Sequence, residues 1–541
     1  MNHNNFDQII SRILNRREFV NLMSRGMGGS ALAFSSLHLS GCGNGGSGDS
    51  NGNDDSEDDD TGNNDNTDTN NVDPSPEYTV LKRTSFGVSQ SSMAQIESQG
   101  INEFLEQQLD YQAIDDGNLE ATIATLFPLT QATAAELLAG FPDNIGDVAV
   151  QMASATQYRQ IYSKRQLYEI MVEFWSDHFT IHLLNGLGPT LKPIDDRDVI
   201  RQHALGNFRD LLHASAKSPA MLFYLDSYIN QLAAPNENYA RELMELHTLG
   251  VDGGYTENDV KEVARCFTGW SLILPNDRES YGQFDFQEAW HDNGAKSVLG
   301  NTISAGGGRT DGEQVIDILA SHPSTAKFIA TKLCRRFISD NPKSADVAIV
   351  AAAFNNSDGD IQDTLRALFA LDSFRFTPDQ KITRPSEYLA QMVRVLLPQL
   401  QYPNDNGLLF YYAQALLGQL PFFWSTPDGY PDVQSYWAST SGMLNRWRLS
   451  FLSFAGIIPE LEVFTVDYEP LVNNATTITE LVDELSASIL MRELSQQDRD
   501  YLIGRIAEGF EESPDEAFSQ VMEAAPLVAA ILISSAYFQL R

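Results

Sequence analysis

From residue 76 onward, apolar residues recur every three or four positions. That spacing predicts helices over 93–110, 165–184, 236–250, 258–270, 313–338, 345–356 and 478–491. Thr256 and Asp259 stand in the pattern of a capping box ahead of the apolar run that follows. Gly250 fits the first position past a helix end, where a left-handed backbone is needed. One region breaks the rule. "GQFDFQEAWHDNGAKSVLGNTIS" (282–304) alternates with a period of two around "DNG" and predicts a β-hairpin. A proline-rich loop is predicted near 421–436. The apolar run "LVAAILISSAYF" (527–538) is too short to cross a bilayer and reads as a buried helix. There is no Rossmann fingerprint, Walker A loop or G-x-S-x-G elbow. The expectation is a mainly α protein. Residues 76–541 form one large multi-helical body with a small β-hairpin excursion near 282–304, and the C-terminal helical part starts at about 455.

The pattern fails before residue 76, and the failure is informative. "NRREFVN" (15–21) carries paired Arg16 and Arg17 with Phe19 two places on, as twin-arginine export signals do. A short, Gly/Ser-rich apolar stretch follows and ends in "LSGC" (39–42), which resembles a lipobox. Residues 1–41 are thus expected to be a signal peptide, and Cys42 the lipidated first residue of the mature chain. Residues 42–75 hold ten Asp/Glu, no Lys or Arg, and a single aliphatic, Val72. Such a stretch cannot offset the entropy of ordering, so it predicts a disordered acidic tether. The expected location is the cell envelope, on the periplasmic or surface side of a bacterial membrane, with the lipid as the only anchor.

Charge narrows the partners. The chain of 541 residues has a net charge of −37. A body this acidic is no partner for nucleic acid, because phosphate binding needs concentrated Lys and Arg. Beyond Cys42 only Cys266 and Cys334 are present, in helical and partly apolar contexts. Export permits them to pair, and buried free thiols are the plainer reading.

Chemistry can be sought in four places. In "NENYARELMELHTLG" (236–250), a rotation of 100° per residue puts Glu237, Asn238, Arg241, Glu242 and Glu245 on one arc, with Tyr239, Ala240, Leu243 and Leu246 opposite. His247 points with the apolar side. Glu242 and Glu245 could offer two oxygens to a cation. The plain alternative is a wetted helix face with a core histidine. In "EFWSDHFTIHLLN" (173–185), His178 and His182 have the i, i+4 spacing that lets two imidazoles share a divalent ion from one helix. Such a site would need a carboxylate from elsewhere, and Glu242 or Glu245 is the natural choice. His291 and Asp292 belong to the "DNG" turn. The loop 421–437 displays Trp424, Tyr430 and Trp437, which could stack on a sugar or an apolar ligand, or simply pin the loop to a core. His203, His213 and His322 stand alone, and His322, ahead of Pro323, suits a turn.

Several stretches taken together resemble one family. "LKRTSFGVS" (81–89), "MVEFWSDHFTIH" (171–182), "HALGNFRDLLHASAKSPAMLFYLD" (203–226), "NENYARELMELHTLGVDGGYTENDVKEVARCFTGW" (236–270), "HPSTAKFIATKLCRRF" (322–337) and "PDGYP" (427–431) are similar to the bacterial domain-of-unknown-function family 1800 over about residues 78–541. The resemblance implies export, often by a twin-arginine signal. It also implies a co-encoded exported partner that looks like a sulfatase relative, and it implies no established activity. The Asn-Glu-Asn…Ala-Arg-Glu pattern is intact at Asn236, Glu237, Asn238, Arg241 and Glu242. One departure stands out: where the family usually reads Phe-Trp-His-Asn-His-Phe, this chain has "FWSDHF", with Ser176 in place of the first histidine.

Two functions follow from these readings. The first is a metal-assisted, hydrolase-like enzyme. His178, His182, Glu242 and Glu245 would hold a divalent ion, and Asn236, Glu237, Asn238 and Arg241 would support it or clamp substrate. The second is a lipid-tethered binding or assembly protein, in which the polar pairs lock helices and the aromatic loop meets a glycan or the sulfatase-like partner.

Overall fold

The computed structural model describes residues 73–396, 407–454, 466–473, 475–509 and 517–541. Arg16, Arg17, Cys42 and all but the last three residues of the predicted tether lie outside them. The described residues are mainly α-helical with two small antiparallel two-stranded sheets. Among the described residues no helix is long and apolar enough to cross a membrane.

The helices that frame the site are α1 (Pro76–Thr84), α2 (Gln166–His178), α3 (Glu237–Glu242), α4 (Glu257–Cys266), α5 (Pro323–Phe337), α6 (Pro385–Leu396) and α7 (Ala517–Ser534). Their ends follow local chemistry. Ser75 accepts from the Tyr78 amide, with Pro76 as the first helical residue of α1. Thr256 and Asp259 close the predicted capping box of α4 through reciprocal side-chain to backbone bonds. His322 caps α5 by accepting from the Ser324 amide at 3.1 Å, with Pro323 at the first turn. Gly250 has φ +80, as the helix stop before it requires.

Several predicted helices are shorter than the periodicity suggested. The 93–110 stretch breaks at Gly100, and 313–338 breaks at Ser321 and His322. The 258–270 stretch ends at Cys266, and Trp270 opens a strand. The excursion near 282–304 is present but is built differently. β1 (Trp270–Leu272) pairs with β2 (Phe284–Phe286), and β3 (Lys296–Val298) pairs with β4 (Asn301–Ile303). The tight turn falls at Leu299 and Gly300, both with positive φ, the geometry of a two-residue hairpin loop. "DNG" instead makes a side-chain turn, Asp292 Oδ1 accepting from the Gly294 amide at 2.8 Å.

One apolar core runs from Tyr78 to Phe538 and takes in Trp175 and Trp270, both fully buried. At about 1.5–3 kcal/mol for each fully buried large side chain, this burial is the main term holding the helices together. Cys266 and Cys334 are free thiols inside it. The core also takes in charge. Lys82 Nζ donates to Gln391 Oε1 at 2.6 Å and to the Phe538 carbonyl at 2.7 Å, so α1 is fastened to both α6 and the C-terminal segment. Arg83 donates to the carbonyls of Ser373, Phe374 and Thr377.

Candidate functional site

α2 ends sooner than its apolar pattern implies. Phe179 leaves helical geometry at φ −104, ψ 55, so His178 is the last helical residue. His182 lies beyond the helix, half-buried and edge-on to Phe423 at 6.0 Å between ring centres. The two histidines therefore do not share a helical face. His178 is buried, and both its ring nitrogens are engaged. Nδ1 lies 2.9 Å from Lys332 Nζ on α5, and Nε2 lies 3.0 Å from the His247 carbonyl. A carbonyl only accepts, so Nε2 carries the proton and Nδ1 accepts from Lys332. Burial, then the Lys332 charge, hold this imidazole well below the usual histidine range, and it is neutral.

The His247 carbonyl reaches His178 because α3 runs on into a wider π-type turn, Leu243–Thr248. Thr248 Oγ1 donates back to the Leu243 carbonyl at 2.7 Å there. Burial pulls the His247 ring down to about 3. On the outer side of the same helix, Arg241 makes a two-pronged pair with Glu257 at 2.8–2.9 Å and looser pairs with Glu237 (3.5 Å) and Glu245 (3.7 Å). This is a solvated network. The two asparagines are structural ties. Asn236 Oδ1 accepts from the Asn238 amide, and the side-chain amides of Asn236 and Asn238 donate to the Asp226 and Leu225 carbonyls. Glu242 is half-buried, and burial, then Glu245 and Asp428, push its carboxyl upward. Among the described residues no group of three or more His, Cys, Asp or Glu side chains is arranged to hold a metal ion.

The loop predicted near 421–436 docks on the end of α2. Gly429, at φ +76, lies against the Asp177 carbonyl; a Cβ there would stand 2.1 Å from that oxygen. This is a position for glycine alone. The aromatics pin the loop to itself and to the body. Trp424 Nε1 donates to Asp428 Oδ1 at 2.9 Å, Tyr430 donates to the Leu420 carbonyl at 2.9 Å, and Trp437 is buried with Ile382 and Leu540.

Docking leaves a cleft of about 260 Å³ between α2, α5 and the loop. Phe174, Leu246 and Phe328 form its apolar wall. Asp177, Lys332, Arg335, Arg384, Asp428 and Asp432 are its polar groups. A second, smaller and partly open space of about 30 Å³, room for a water molecule, adjoins Asp177 and is lined in part by Ser176. The departure at Ser176 thus sits next to the cleft.

Beneath the cleft is a buried charge network. Arg384 binds Asp177 at 2.6 Å and reaches Glu173 (3.5 Å) and Asp432 (3.6 Å). Lys381 binds Asp340 (2.8 Å) and Asp432 (3.1 Å). Glu387 takes Arg336 at 2.5 Å, Arg541 at 3.2 Å and the Arg384 amide at 3.0 Å. Burial alone would raise Glu387, but Arg336, Arg541 and Arg384 draw it down to about 2. Burial raises Asp177 to about 6 even though Arg384 opposes the shift. Burial lowers Lys332 to about 8, against the pull of Asp177 and Asp432. Asp177, Lys332, Arg384 and Asp432 were not singled out as site residues from the sequence. The available signal was Arg336, three residues past Leu333 and seven past Ile329, a charge on the apolar face of α5.

A family model described as a protein of unknown function (DUF1800) matches residues 79–540, and the chain belongs to this family. No curated protein and no solved structure matches it.

Proposed function

We propose that this protein is exported, anchored by lipid at Cys42, and that its helical body is a hydrolase-like enzyme working by general acid–base catalysis in the α2–α5–loop cleft. The observation that carries the reading is Lys332. It opens on the cleft, and among the described residues it has no carboxylate within 4.0 Å; of the other two cations of the lining, Arg384 is paired with Asp177 and Arg335 donates to the Asp340 carbonyl. An ammonium held by a neutral imidazole and the face of Phe328, with no carboxylate on it, is placed to exchange a proton. Asp177, across the same cleft, supplies the opposite role. Near neutral pH Asp177 is mostly ionised and takes a proton from water, while Lys332 is mostly protonated and gives one to the leaving group. Metal ligation by His178 would require Lys332 and the His247 carbonyl to release its ring nitrogens, so the reading is carried without an ion.

The test is a panel of chromogenic esters, amides and glycosides assayed with the mature chain and with Asp177→Asn and Lys332→Met. An activity lost in both variants, with a bell-shaped profile between about pH 6 and 8, supports the proposal. Turnover that depends on neither residue refutes it. A binding role for the rim is favoured by Trp424, Tyr430 and Tyr436, which crowd together there with Tyr436 39% exposed. Unchanged capture of the co-encoded sulfatase-like protein by Trp424→Ala would end that second reading.

A further inference from the structure

We propose that Lys332 is also a nucleophile, an amine that captures a small aldehyde or ketone in the cleft as an imine. The inference rests on the reading of this cleft as the active site and adds a substrate class to it.

Geometry is the first support. Lys332 Nζ has a single hydrogen-bond partner among the described residues, His178 Nδ1 at 2.9 Å. Because Nε2 of that ring is pinned to the His247 carbonyl, Nδ1 can only accept. It therefore aligns the amine by accepting a hydrogen bond from it, and it does not compete for the lone pair. Phe328 lies beneath the amine, 5.6 Å from ring centre to Nζ, and Phe174 and Leu246 extend the apolar wall. A lysine in such a pocket beside other cations is the usual setting of an imine-forming amine. The groups facing it are Asp177 and Asp432, which favour its charged form, and Arg335 and Arg384, which disfavour it; His178 and His247 are neutral.

The ligand class follows from the wall. Asp177, Asp428 and Asp432 share the cleft with Lys332, and Glu242 is coupled to Asp428 at its edge. Lys332, Arg335 and Arg384 balance the three aspartates of the cleft, so the wall favours a ligand without net charge, which a neutral carbonyl is. The step balances without an oxidant or reductant. The Nζ lone pair adds to the carbonyl carbon, and the C=O π pair moves to oxygen, which takes a proton. Nitrogen passes a proton across the cleft to the ionised Asp177 carboxylate. The hydroxyl then leaves as water on taking that proton back from Asp177, and the C=N bond forms.

The test treats the mature chain at pH 7.5 with glyceraldehyde, and in parallel with formaldehyde, in the presence of cyanoborohydride, followed by peptide mass mapping. Lys332 is expected to be modified at least about tenfold faster than exposed Lys261 and Lys327, because far more of it is unprotonated at that pH. Its rate should rise through about pH 8. Lys332→Arg should remove the fast site and leave the others unchanged. Trapping of Lys332 no faster than Lys261 by either aldehyde overturns the proposal. Asp177-dependent turnover with an untrapped Lys332 sinks the imine alone. Fast trapping without Asp177-dependent turnover sinks the acid–base reading and leaves the imine standing.

Discussion

Replacing Glu387 with Gln tests whether the charge network under the cleft holds the fold as its geometry implies. The carboxylate is 5% exposed, and its ion-pair partners Arg336 and Arg541 are 0% and 2% exposed. Glutamine keeps the shape and removes the charge, leaving two guanidiniums short of a counter-ion. Two routes give the magnitude. Breaking a buried pair on one side costs about 3–5 kcal/mol. Independently, a carboxyl drawn from 4.5 to about 2 contributes on the order of 3 kcal/mol of stability. The sign is that of a depressed carboxyl. The contribution is complete above the unfolded value of 4.5 and is lost as pH falls through about 2. Urea unfolding of the mature chain and of Glu387→Gln should therefore differ by about 3 kcal/mol at pH 7, and by less than half of that at pH 3. A difference under about 1 kcal/mol at pH 7, or one that does not shrink in acid, would refute the reasoning. Because the Glu387 carboxylate also accepts from the Arg384 amide, the variant should weaken the grip of Arg384 on Asp177 and lower any turnover as well.

Three further outcomes are expected. Gly429→Ala places a Cβ against the Asp177 carbonyl in left-handed backbone and should cost about 2 kcal/mol or more with loss of cleft function; an unchanged melting temperature would mean that the loop docks elsewhere. Zinc added to the protein in a calorimeter should show no heat that depends on His178, because both ring nitrogens are engaged. A stoichiometric site abolished by His178→Ala would restore the metal-assisted reading. Cys42→Ala should move the protein from the membrane to the soluble fraction, and continued sedimentation with membranes would count against lipid anchoring.

Much of the architecture was legible in the pattern because helix ends carry local chemistry. Gly250 and the Thr256–Asp259 box are short-range signals, and the structure uses each of them as such; Pro323 is another, which the continuous pattern over 313–338 obscured. The end of α2 carried no such mark. No Gly or Pro directly follows His178, and it is the loop bearing Gly429, some 250 residues further along the chain, that packs on its last turn. That long-range contact is why the spacing of His178 and His182 was a poor guide to the site. The same holds for Lys332. In "ATKLCRRF" it reads as one of three basic residues near a helix end, and only the fold distinguishes it from Arg335 and Arg336. The polar face of 236–250 was read correctly as an arc, but its asparagines turned out to be ties between chain segments, which spacing alone cannot reveal.

The bond from Lys82 to the Phe538 carbonyl joins residues 456 positions apart. Such a clasp cannot close until residue 538 has left the ribosome, and closing so long a loop is slow relative to forming local helices. Nascent chains therefore pass through a stage in which finished helices wait for their last fastener. A translocation machine that threads extended chains would meet them before that step, and one that carries completed bodies would meet them after it.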